Sequence, residues 1–331
     1  MSVSVSIIVP CYNVAAYLDQ CMESLAGQSM EDIEIICVND GSSDHTAEIL
    51  REWRDRDGRV RVIDRKNSGV SAARNSGMEA AAGKYIGFVD PDDVVDRNMF
   101  RRLFDAAVEK DADVAVCGYH EFCDRGGMDM PESGWSPSAG FFPEEKAERF
   151  RRGTPWSQCA GTVWNKLIRR ELLLENDIRF GEEFAICEDM AFSMQVLEKS
   201  KGICVVPESL YCYHYKEAEN LVNRFHENYY EALLYFRNRT WQCFRTLQAK
   251  QELYAEVNAC FVGKSLMYLH KIYRDSGYEE TRKYAELKRI GGSLPLQNAL
   301  REYRATGKRR LLRELLLHKR FRLLDSLYRW R

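Results

Sequence analysis

The chain has 331 residues, of which 45% are hydrophobic and 30% charged, so it can bury a core in one large domain or two ordinary ones. It contains no apolar run near the ~20 residues that cross a bilayer and no N-terminal secretory signal, so we expect a cytoplasmic protein. The net charge of −2 combines an acidic body with a basic tail, residues 308–331. This pattern argues against a general nucleic-acid binder and indicates that only the tail touches an anionic surface.

The N-terminal part of the chain alternates between strand and helix patterns. Continuous β-prone runs predict buried strands at Val3–Pro10, Ile33–Val38, Arg59–Asp64 and Tyr85–Val89. Apolar residues at helical spacing, first seen between Tyr17 and Leu25, predict helices between the strands. Strands that alternate with helices form parallel sheets, and such sheets are covered on both faces. The sequence therefore predicts an α/β fold with a mostly parallel central sheet and helices on both faces.

Polar loops follow three of these strands, at Pro10–Asn13, Asn39–Asp44 and Asp90–Asp93. All three fall at the C-terminal edge of the sheet, where open α/β folds bind their ligands. Their chemistry suits a nucleotide: Tyr12 could stack on a base, Asp40 accept a base N–H, Asp90 hold a ribose hydroxyl and Asp92 reach a metal that bridges a diphosphate. Each loop taken alone is also compatible with ordinary strand-end and helix-cap chemistry, with Asp93 or Asp96 as a cap.

The rest of the chain changes pattern twice. Asp113–Gly118 is a predicted strand that closes a nucleotide-binding half, residues 1–118. Residues 119–223 form a predicted acceptor-side half, and residues 224–331 a helical region. Within the acceptor-side half we predict a loop-like insertion at 119–140, helices at Glu144–Arg152 and Glu188–Glu198, and strands at Ile203–Val206 and Leu210–Tyr213.

Four motifs in order carry a resemblance to a known family. They are Ser6–Asn13, Val38–Asp44, Ser71–Gly77 and Phe88–Asp93. Together they resemble the successive motifs of the family-2 inverting glycosyltransferases, and the resemblance covers roughly residues 3 to 215. It implies a GT-A fold, which is α/β with a Rossmann-like, mostly parallel sheet, followed here by the helical C-terminal region.

The resemblance also implies a donor site and a metal. It places a nucleoside-diphosphate sugar against the first polar loop, the second loop and the helix that begins the third motif. The implied donor-binding residues are Pro10, Tyr12, Asn13, Asp40, Arg74 and Asp90. Asp92 is the implied ligand of Mn²⁺ or Mg²⁺, and Asp90 and His214 are further candidates. Both ions prefer oxygen ligands and bridge phosphate oxygens.

An inverting transfer also needs a base, because the acceptor hydroxyl must lose its proton as it attacks the anomeric carbon. Glu188-Asp189-Met190-Ala191-Phe192 resembles the family's Glu-Asp-x-x-Phe motif. We assign Asp189 as the base and Glu188 as the residue that could share or replace it. By composition alone, a pair of acids at a helix N-terminus has a simpler explanation in the helix dipole.

Trp164, Asn165 and Lys166 belong to a segment that recurs in such enzymes between the metal motif and the base. They are candidates for the acceptor or diphosphate side of the site, with Lys166 approaching phosphate. The alternative is that this segment, and His214 among its aromatic neighbours, belongs to the core.

The basic tail, residues 308–331, is predicted to be a helix with leucines around much of its circumference and Lys or Arg between them. It either packs on protein, in the same chain or a second copy, or binds an anionic membrane surface. In the second case the protein lies peripherally on the inner face of the cytoplasmic membrane.

These patterns predict a metal-dependent inverting glycosyltransferase that moves one sugar per encounter from a nucleoside-diphosphate sugar, with a UDP-sugar favoured. The expected acceptor is a glycan or a lipid-linked molecule in surface polysaccharide or glycolipid synthesis. The alternative from another class is a non-catalytic nucleotide-sugar scaffold or sensor with the same fold. A nucleotidyltransferase is disfavoured because Pro10–Asn13 stands where a Gly-rich phosphate loop would be. A homo-oligomer is left open.

Overall fold

A computed structural model of the chain describes residues 3–122, 131–138, 140–142, 161–183, 186–214, 228–249, 251–274 and 277–329. The chain divides into two compact units, residues 1–220 and 221–331. The predicted helix at 144–152 lies outside the described residues, as do residues 123–130 and 139 of the predicted insertion. The prediction of a loop over the rest of 119–140 was wrong in part, because Val114–Phe122 and Pro131–Trp135 form strands.

In the described part of the first unit, ten strands form one mixed sheet in the order β3-β2-β1-β4-β9-β6-β10-β5, with β7 on β6 and β8 on β10. The strands are β1 (Val5–Cys11), β2 (Ile33–Asn39), β3 (Val60–Asp64), β4 (Tyr85–Phe88), β5 (Val94–Val95), β6 (Val114–Phe122), β7 (Pro131–Trp135), β8 (Gly140–Phe142), β9 (Lys166–Arg169) and β10 (Ile203–His214).

The first four strands confirm the predicted parallel alternation. β1 pairs in parallel with β2 and β4, and β2 pairs with β3. The crossovers are α1 (Leu18–Ala26), α2 (Thr46–Arg56) and α3 (Val70–Ala80). Every residue of β1, β2 and β4 is buried, as expected for strands covered on both faces. Their C-terminal ends therefore meet at one edge and bring the polar loops together.

The second half of the sheet is less regular than predicted. β9 runs antiparallel between β4 and β6, whereas β10 runs parallel to β6. The prediction of separate strands at 203–206 and 210–213 was wrong, because β10 is continuous and its register with β6 shifts on both sides of Ser209. A β-bulge adds a residue to one strand without ending it, so β10 stays one strand although its apolar pattern is interrupted between the two predicted segments.

The described residues of this half also contain the helices α4 (Met99–Glu109), α5 (Arg170–Glu175) and α6 (Glu188–Lys199). The helix predicted to start at Asp96 begins at Met99, because Val94–Val95 first pair with β10. The helix predicted from Glu188 is confirmed at its start. Glu188 and Asp189 therefore lie in the first turn of α6.

The described part of the second unit is helical, as predicted. It contains α7 (Tyr229–Thr246), α8 (Gln251–Arg274), α9 (Glu280–Gly291), α10 (Leu294–Glu302), α11 (Gly307–Leu317) and α12 (Phe321–Arg329). No helix in the described residues is long and apolar enough to cross a membrane.

The basic tail is not the single helix that we predicted. It breaks between α11 and α12, where Lys319 takes a left-handed conformation with φ of 51°. Leu316, Leu324 and Tyr328 are buried, and the Tyr328 ring stacks on Tyr273 of α8 with centroids 4.9 Å apart. Part of the leucine and aromatic stripe thus packs within the helical unit.

Candidate active site

The first two polar loops are tied to each other by Asn13. Its backbone takes a left-handed conformation with φ of 53°, which asparagine tolerates better than most residues. The Asn13 N–H donates to Ser42 Oγ at 3.1 Å, and Asn13 Oδ1 accepts from the Ser43 N–H at 2.8 Å. Next to it, Pro10 is buried in β1, while Tyr12 is 50% exposed. The loops therefore leave one aromatic face open to a ligand.

Asp40 connects the second loop to the start of α3. Its buried carboxylate accepts from the Gly69 N–H at 2.8 Å and from the Ser68 N–H at 3.1 Å, and it pairs with Arg65 Nε at 3.1 Å. The second loop comes close to the segment before α3 at Gly41, whose φ is +73° and where a Cβ would lie 2.7 Å from the Asn67 nitrogen. Asp40 thus fixes the loop that leads into α3. Its role in binding a nucleobase stays a prediction.

Arg74, on α3, lies at the centre of the site. Its side chain is only 3% exposed, and its guanidinium contacts carboxylates from two other segments. Nη2 lies 3.0 Å from Asp90 Oδ1, Nη1 lies 3.2 Å from Glu188 Oε1, and Nη1 also contacts Asp189 Oδ1. The structure therefore joins the predicted donor residues Arg74 and Asp90 to the predicted base.

Burial, and after it the neighbouring carboxylates, raise the pKa of Asp189 and of Asp90. Burial raises the pKa of Asp189 to about 7, with Glu188 adding to the rise and Arg74 and Lys166 opposing it. Burial likewise raises the pKa of Asp90 to about 6, where Arg74 opposes the rise and Asp189 and Asp92 add to it. A carboxylate with a pKa near neutrality can exchange a proton with a substrate at physiological pH.

Asp93 has a different role from the predicted cap of a helix, since α4 begins at Met99. Its buried carboxylate accepts from the Tyr211 hydroxyl at 2.6 Å and from the His214 backbone N–H at 2.7 Å. The same Tyr211 oxygen accepts from the Asp90 N–H at 3.1 Å. β10 therefore holds the Asp90–Asp93 turn at two points.

The residues after β4 fit a divalent cation by their charge. The pKa of Asp93 is raised well above its ordinary range by burial first and then by Asp90 and Asp92. Asp92 is partly exposed, whereas the His214 side chain is largely buried and its ring meets the Tyr17 ring edge-on at 5.7 Å. Within the described residues, no three His, Cys, Asp or Glu side chains form a ready-made ligand set. A cation there would relieve the repulsion and take further oxygens from a substrate.

Trp164, Asn165 and Lys166 are all buried. The Trp164 ring stacks on the Tyr211 ring with centroids 4.2 Å apart. Asn165 Nδ2 donates to the Cys117 carbonyl at 2.9 Å. Lys166 Nζ donates to Asn165 Oδ1 at 2.6 Å and to the Thr162 carbonyl at 2.7 Å. This segment packs against β10 through the Trp164 ring. That it contacts substrate stays a prediction.

Sequence reasoning missed two aromatic residues of the site, Tyr211 and Phe180. The Phe180 ring lies 5.2 Å from the Arg74 guanidinium carbon and stacks on Phe192 of α6 at 3.9 Å. Tyr211 was seen only as part of an aromatic strand. The alternation of Tyr211 and Tyr213 was the available signal, because it sends both rings to one face of β10.

Comparison with known proteins identifies what the chain resembles. A model of the family described as glycosyl transferase family 2 matches residues 6–175. The uncharacterized glycosyltransferase EpsJ of Bacillus subtilis is 38% identical over 210 residues, which are 63% of this chain and 60% of that relative. The poly(ribitol-phosphate) beta-glucosyltransferase of Bacillus spizizenii is 31% identical over 236 residues, which are 69% of this chain and 35% of that relative.

A solved structure shows the same fold. S. aureus TarS 1-349 in complex with UDP-GlcNAc aligns over 98% of this chain and 89% of its own, with a TM-score of 0.69 and 22% sequence identity. The predicted sheet and helical C-terminal region are therefore those of a known GT-A-like fold.

The Tyr211 hydroxyl provides a test of how the Asp90–Asp93 turn is held. Tyr211→Phe removes a donor from a buried carboxylate, so we expect it to lower the free energy of unfolding by about 1.5–3 kcal/mol. Tyr85→Phe is the matched control, because the buried Tyr85 hydroxyl donates to the neutral Ala112 carbonyl at 2.9 Å. It should cost about 0.5–1.5 kcal/mol. Equal losses in urea-induced unfolding would contradict a special role for Tyr211.

Proposed function

Because this chain belongs to glycosyl transferase family 2, we propose that it transfers one sugar from a nucleoside-diphosphate sugar to an acceptor hydroxyl, with inversion at the anomeric carbon. The observation that carries this proposal is the cluster in which Arg74 contacts Asp90, Glu188 and Asp189 at the C-terminal edge of the sheet. It joins the donor loop after β4 to the acid pair that begins α6.

Asp189 is the base in this mechanism. Its pKa of about 7 leaves a useful fraction deprotonated at neutral pH while keeping it basic enough to accept a hydroxyl proton. The Arg74 contact orients the Asp189 carboxylate. Glu188 shares the same guanidinium and is the alternative base.

The donor lies along the three polar loops. Tyr12 offers its exposed ring to the nucleobase, and Pro10, Asn13 and Asp40 shape the loop around it. Asp90 faces the ribose. The fold shared with TarS, which binds UDP-GlcNAc, supports a UDP-sugar as the donor.

A divalent cation, Mn²⁺ or Mg²⁺, would be held by Asp92, with Asp90 and His214 as further candidates, and would offset the charge that develops on the departing nucleoside diphosphate. The chain's own contribution is the turn that carries these oxygens. Tyr211 and the His214 backbone fix that turn through Asp93. The backbone that carries the Asp92 carboxylate is therefore already ordered before a cation binds.

The acceptor is proposed to be a glycan or a lipid-linked molecule in the synthesis of a surface polymer. The relative that glucosylates poly(ribitol-phosphate) supports this class of acceptor. The predicted acceptor-side half, residues 119–223, contributes the face on which the acceptor meets Asp189.

The proposed location is the inner face of the cytoplasmic membrane, reached through the basic tail, residues 308–331. On α12, Leu323 is 57% exposed and Leu327 is 40% exposed, one helical turn apart. Lys319, Arg320 and Arg322 precede them and are exposed, and no described acidic side chain pairs with these three. Exposed leucines beside unpaired cations fit the boundary of an anionic bilayer.

The base assignment is tested by Asp189→Asn, which removes the proton acceptor but keeps the shape. We expect sugar transfer to fall about 10²–10⁴-fold, while the donor dissociation constant stays within about threefold because Asp189 does not hold the donor. For the parent, kcat/KM should decline as pH falls below about 7, since protonation removes the base.

Glu188→Gln is the matched control for Asp189→Asn. If it abolishes transfer while Asp189→Asn remains active, the base is Glu188. If both variants turn over donor as fast as the parent, the cluster is not the active site. If the parent itself binds a nucleotide sugar but does not turn it over, the protein is a scaffold or sensor.

The metal assignment is tested by Asp92→Asn, with Asp96→Asn as a control on an exposed carboxylate in the same segment. Chelation should abolish donor turnover and Mn²⁺ should restore it. The half-saturating Mn²⁺ concentration should rise about tenfold or more in Asp92→Asn and stay unchanged in the control, because Asp92 would donate an oxygen to the ion and Asp96 would not. Turnover that survives chelation in the parent contradicts a metal requirement.

Membrane docking is tested by flotation with phosphatidylglycerol-containing vesicles. The parent should float with these and not with pure phosphatidylcholine, and high salt should release it. Leu323→Ser/Leu327→Ser should float far less, whereas Leu294→Ser, at a 70% exposed leucine of α10, should float like the parent. If the parent does not bind the vesicles, the exposed leucines face solvent. If the parent self-associates and the double variant dissociates, the leucines instead contact a second copy of the chain.

A further inference from the structure

Arg74 is predicted to bind the donor, and in the structure its guanidinium contacts three carboxylates, two of which belong to the acid pair of α6. The two terminal nitrogens of the guanidinium are engaged by Asp90, Glu188 and Asp189. Nε has no hydrogen-bond partner within the described residues. A diphosphate that bound the terminal nitrogens would have to displace these carboxylates. The contacts therefore place the cation on the base side of the cluster.

We infer that Arg74 is a positioning residue that holds the Asp189 carboxylate in its working position through the buried guanidinium. This inference rests on the proposed function, since it needs Asp189 to be the base. It assigns Arg74 to the step in which the acceptor is activated, whereas the donor is held by the polar loops.

The guanidinium can serve this role because α3 is itself fixed. A Cβ on Gly77 would lie 2.4 Å from an Ile8 methyl carbon, so α3 packs directly on β1. Two residues before Gly77, Asn75 accepts from the Phe180 N–H and donates to the Phe180 carbonyl, both at 3.0 Å. α3 therefore cannot shift toward or away from the sheet without breaking buried contacts.

Phe180 transmits this order to the helix that carries the base. Its ring packs on Arg74 on one side and stacks on Phe192 of α6 on the other, with ring planes only 3° apart. Phe192 follows Asp189 by three residues in α6. Arg74 and Asp189 are thus aligned both by their ion pair and by a row of packed rings.

The charges around Asp189 make the cation necessary. Glu188 on α6 and Asp90 after β4 repel it, while Arg74 on α3 and Lys166 on β9 attract it. The Lys166 ammonium group also donates to Thr162 and Asn165. Without Arg74 the three carboxylates would separate or take up protons, and the base would lose its position.

The test uses the full-length protein with a nucleoside-diphosphate sugar and Mn²⁺, in Arg74→Lys. Lysine keeps the charge but has one terminal nitrogen where the guanidinium has two, so it cannot hold Asp90 and Asp189 in the same geometry, and we expect kcat to fall about 10- to 100-fold. The donor dissociation constant, measured by calorimetry, should stay within about threefold. A kcat equal to the parent's, or a loss accounted for by weaker donor binding, would overturn the inference.

Arg169→Lys is the matched control for folding. Arg169 also pairs with two carboxylates, Asp111 and Asp113, and also lies over an aromatic ring, that of Tyr85. It should lose a similar amount of stability without losing kcat. If Arg74→Lys fails to fold, Phe180→Leu takes its place: it removes the ring behind the guanidinium, changes no charge, and should lower kcat about 3- to 10-fold with unchanged donor affinity.

A double-mutant cycle separates this inference from the proposed function. If Arg74 acts through Asp189, then Arg74→Lys/Asp189→Asn should be within about threefold of Asp189→Asn alone. Multiplied losses would mean that Arg74 acts elsewhere, and only the inference would fail. If Asp189→Asn is as active as the parent, the assignment of the base fails, whatever Arg74 does.

Discussion

The site depends on one buried cation shared by three carboxylates. Burying a guanidinium costs several kcal/mol, and removing one partner of such a group typically destabilises by about 3–5 kcal/mol. Arg74 meets this cost through contacts with Asp90, Glu188 and Asp189, which come from two segments more than ninety residues apart in the sequence. The same contacts join the loop after β4, which is proposed to hold the donor, to the acid pair that contains the proposed base.

The excess negative charge around Arg74 connects the structure to its chemistry. Burial first, and then these neighbouring carboxylates, raise the pKa of Asp189 to about 7 and that of Asp90 to about 6. A carboxylate in water would be a poor base at neutral pH, and burial beside like charges improves it. The same excess on the side of Asp92 and Asp93 suits a cation and, with it, the phosphates of a donor. One electrostatic arrangement thus favours a proton acceptor at one end and a metal at the other.

Local patterns in the sequence were sufficient for the first half of the sheet. Apolar runs and polar loops predicted β1 to β4 and the edge at which Tyr12, Asp40 and Asp90 lie, because these strands are continuous and parallel. What they could not predict depends on contacts between distant residues. The contact of Arg74 with Asp189, the hold of Tyr211 on Asp93, and the single strand β10 with its register shifts all arise from tertiary packing. The helix breaks at Lys319, which takes a left-handed conformation although it is not a glycine, so the sequence has no local signal for the break.

The most direct test of the account is the stereochemistry of donor hydrolysis. Incubating the protein with a UDP-sugar and Mn²⁺ and recording proton NMR spectra before the free sugar mutarotates would show which anomer appears first. Inverting chemistry with Asp189 as the base predicts the anomer opposite to that of the donor, and predicts that the signal is lost in Asp189→Asn. First appearance of the donor's own anomer would contradict the account.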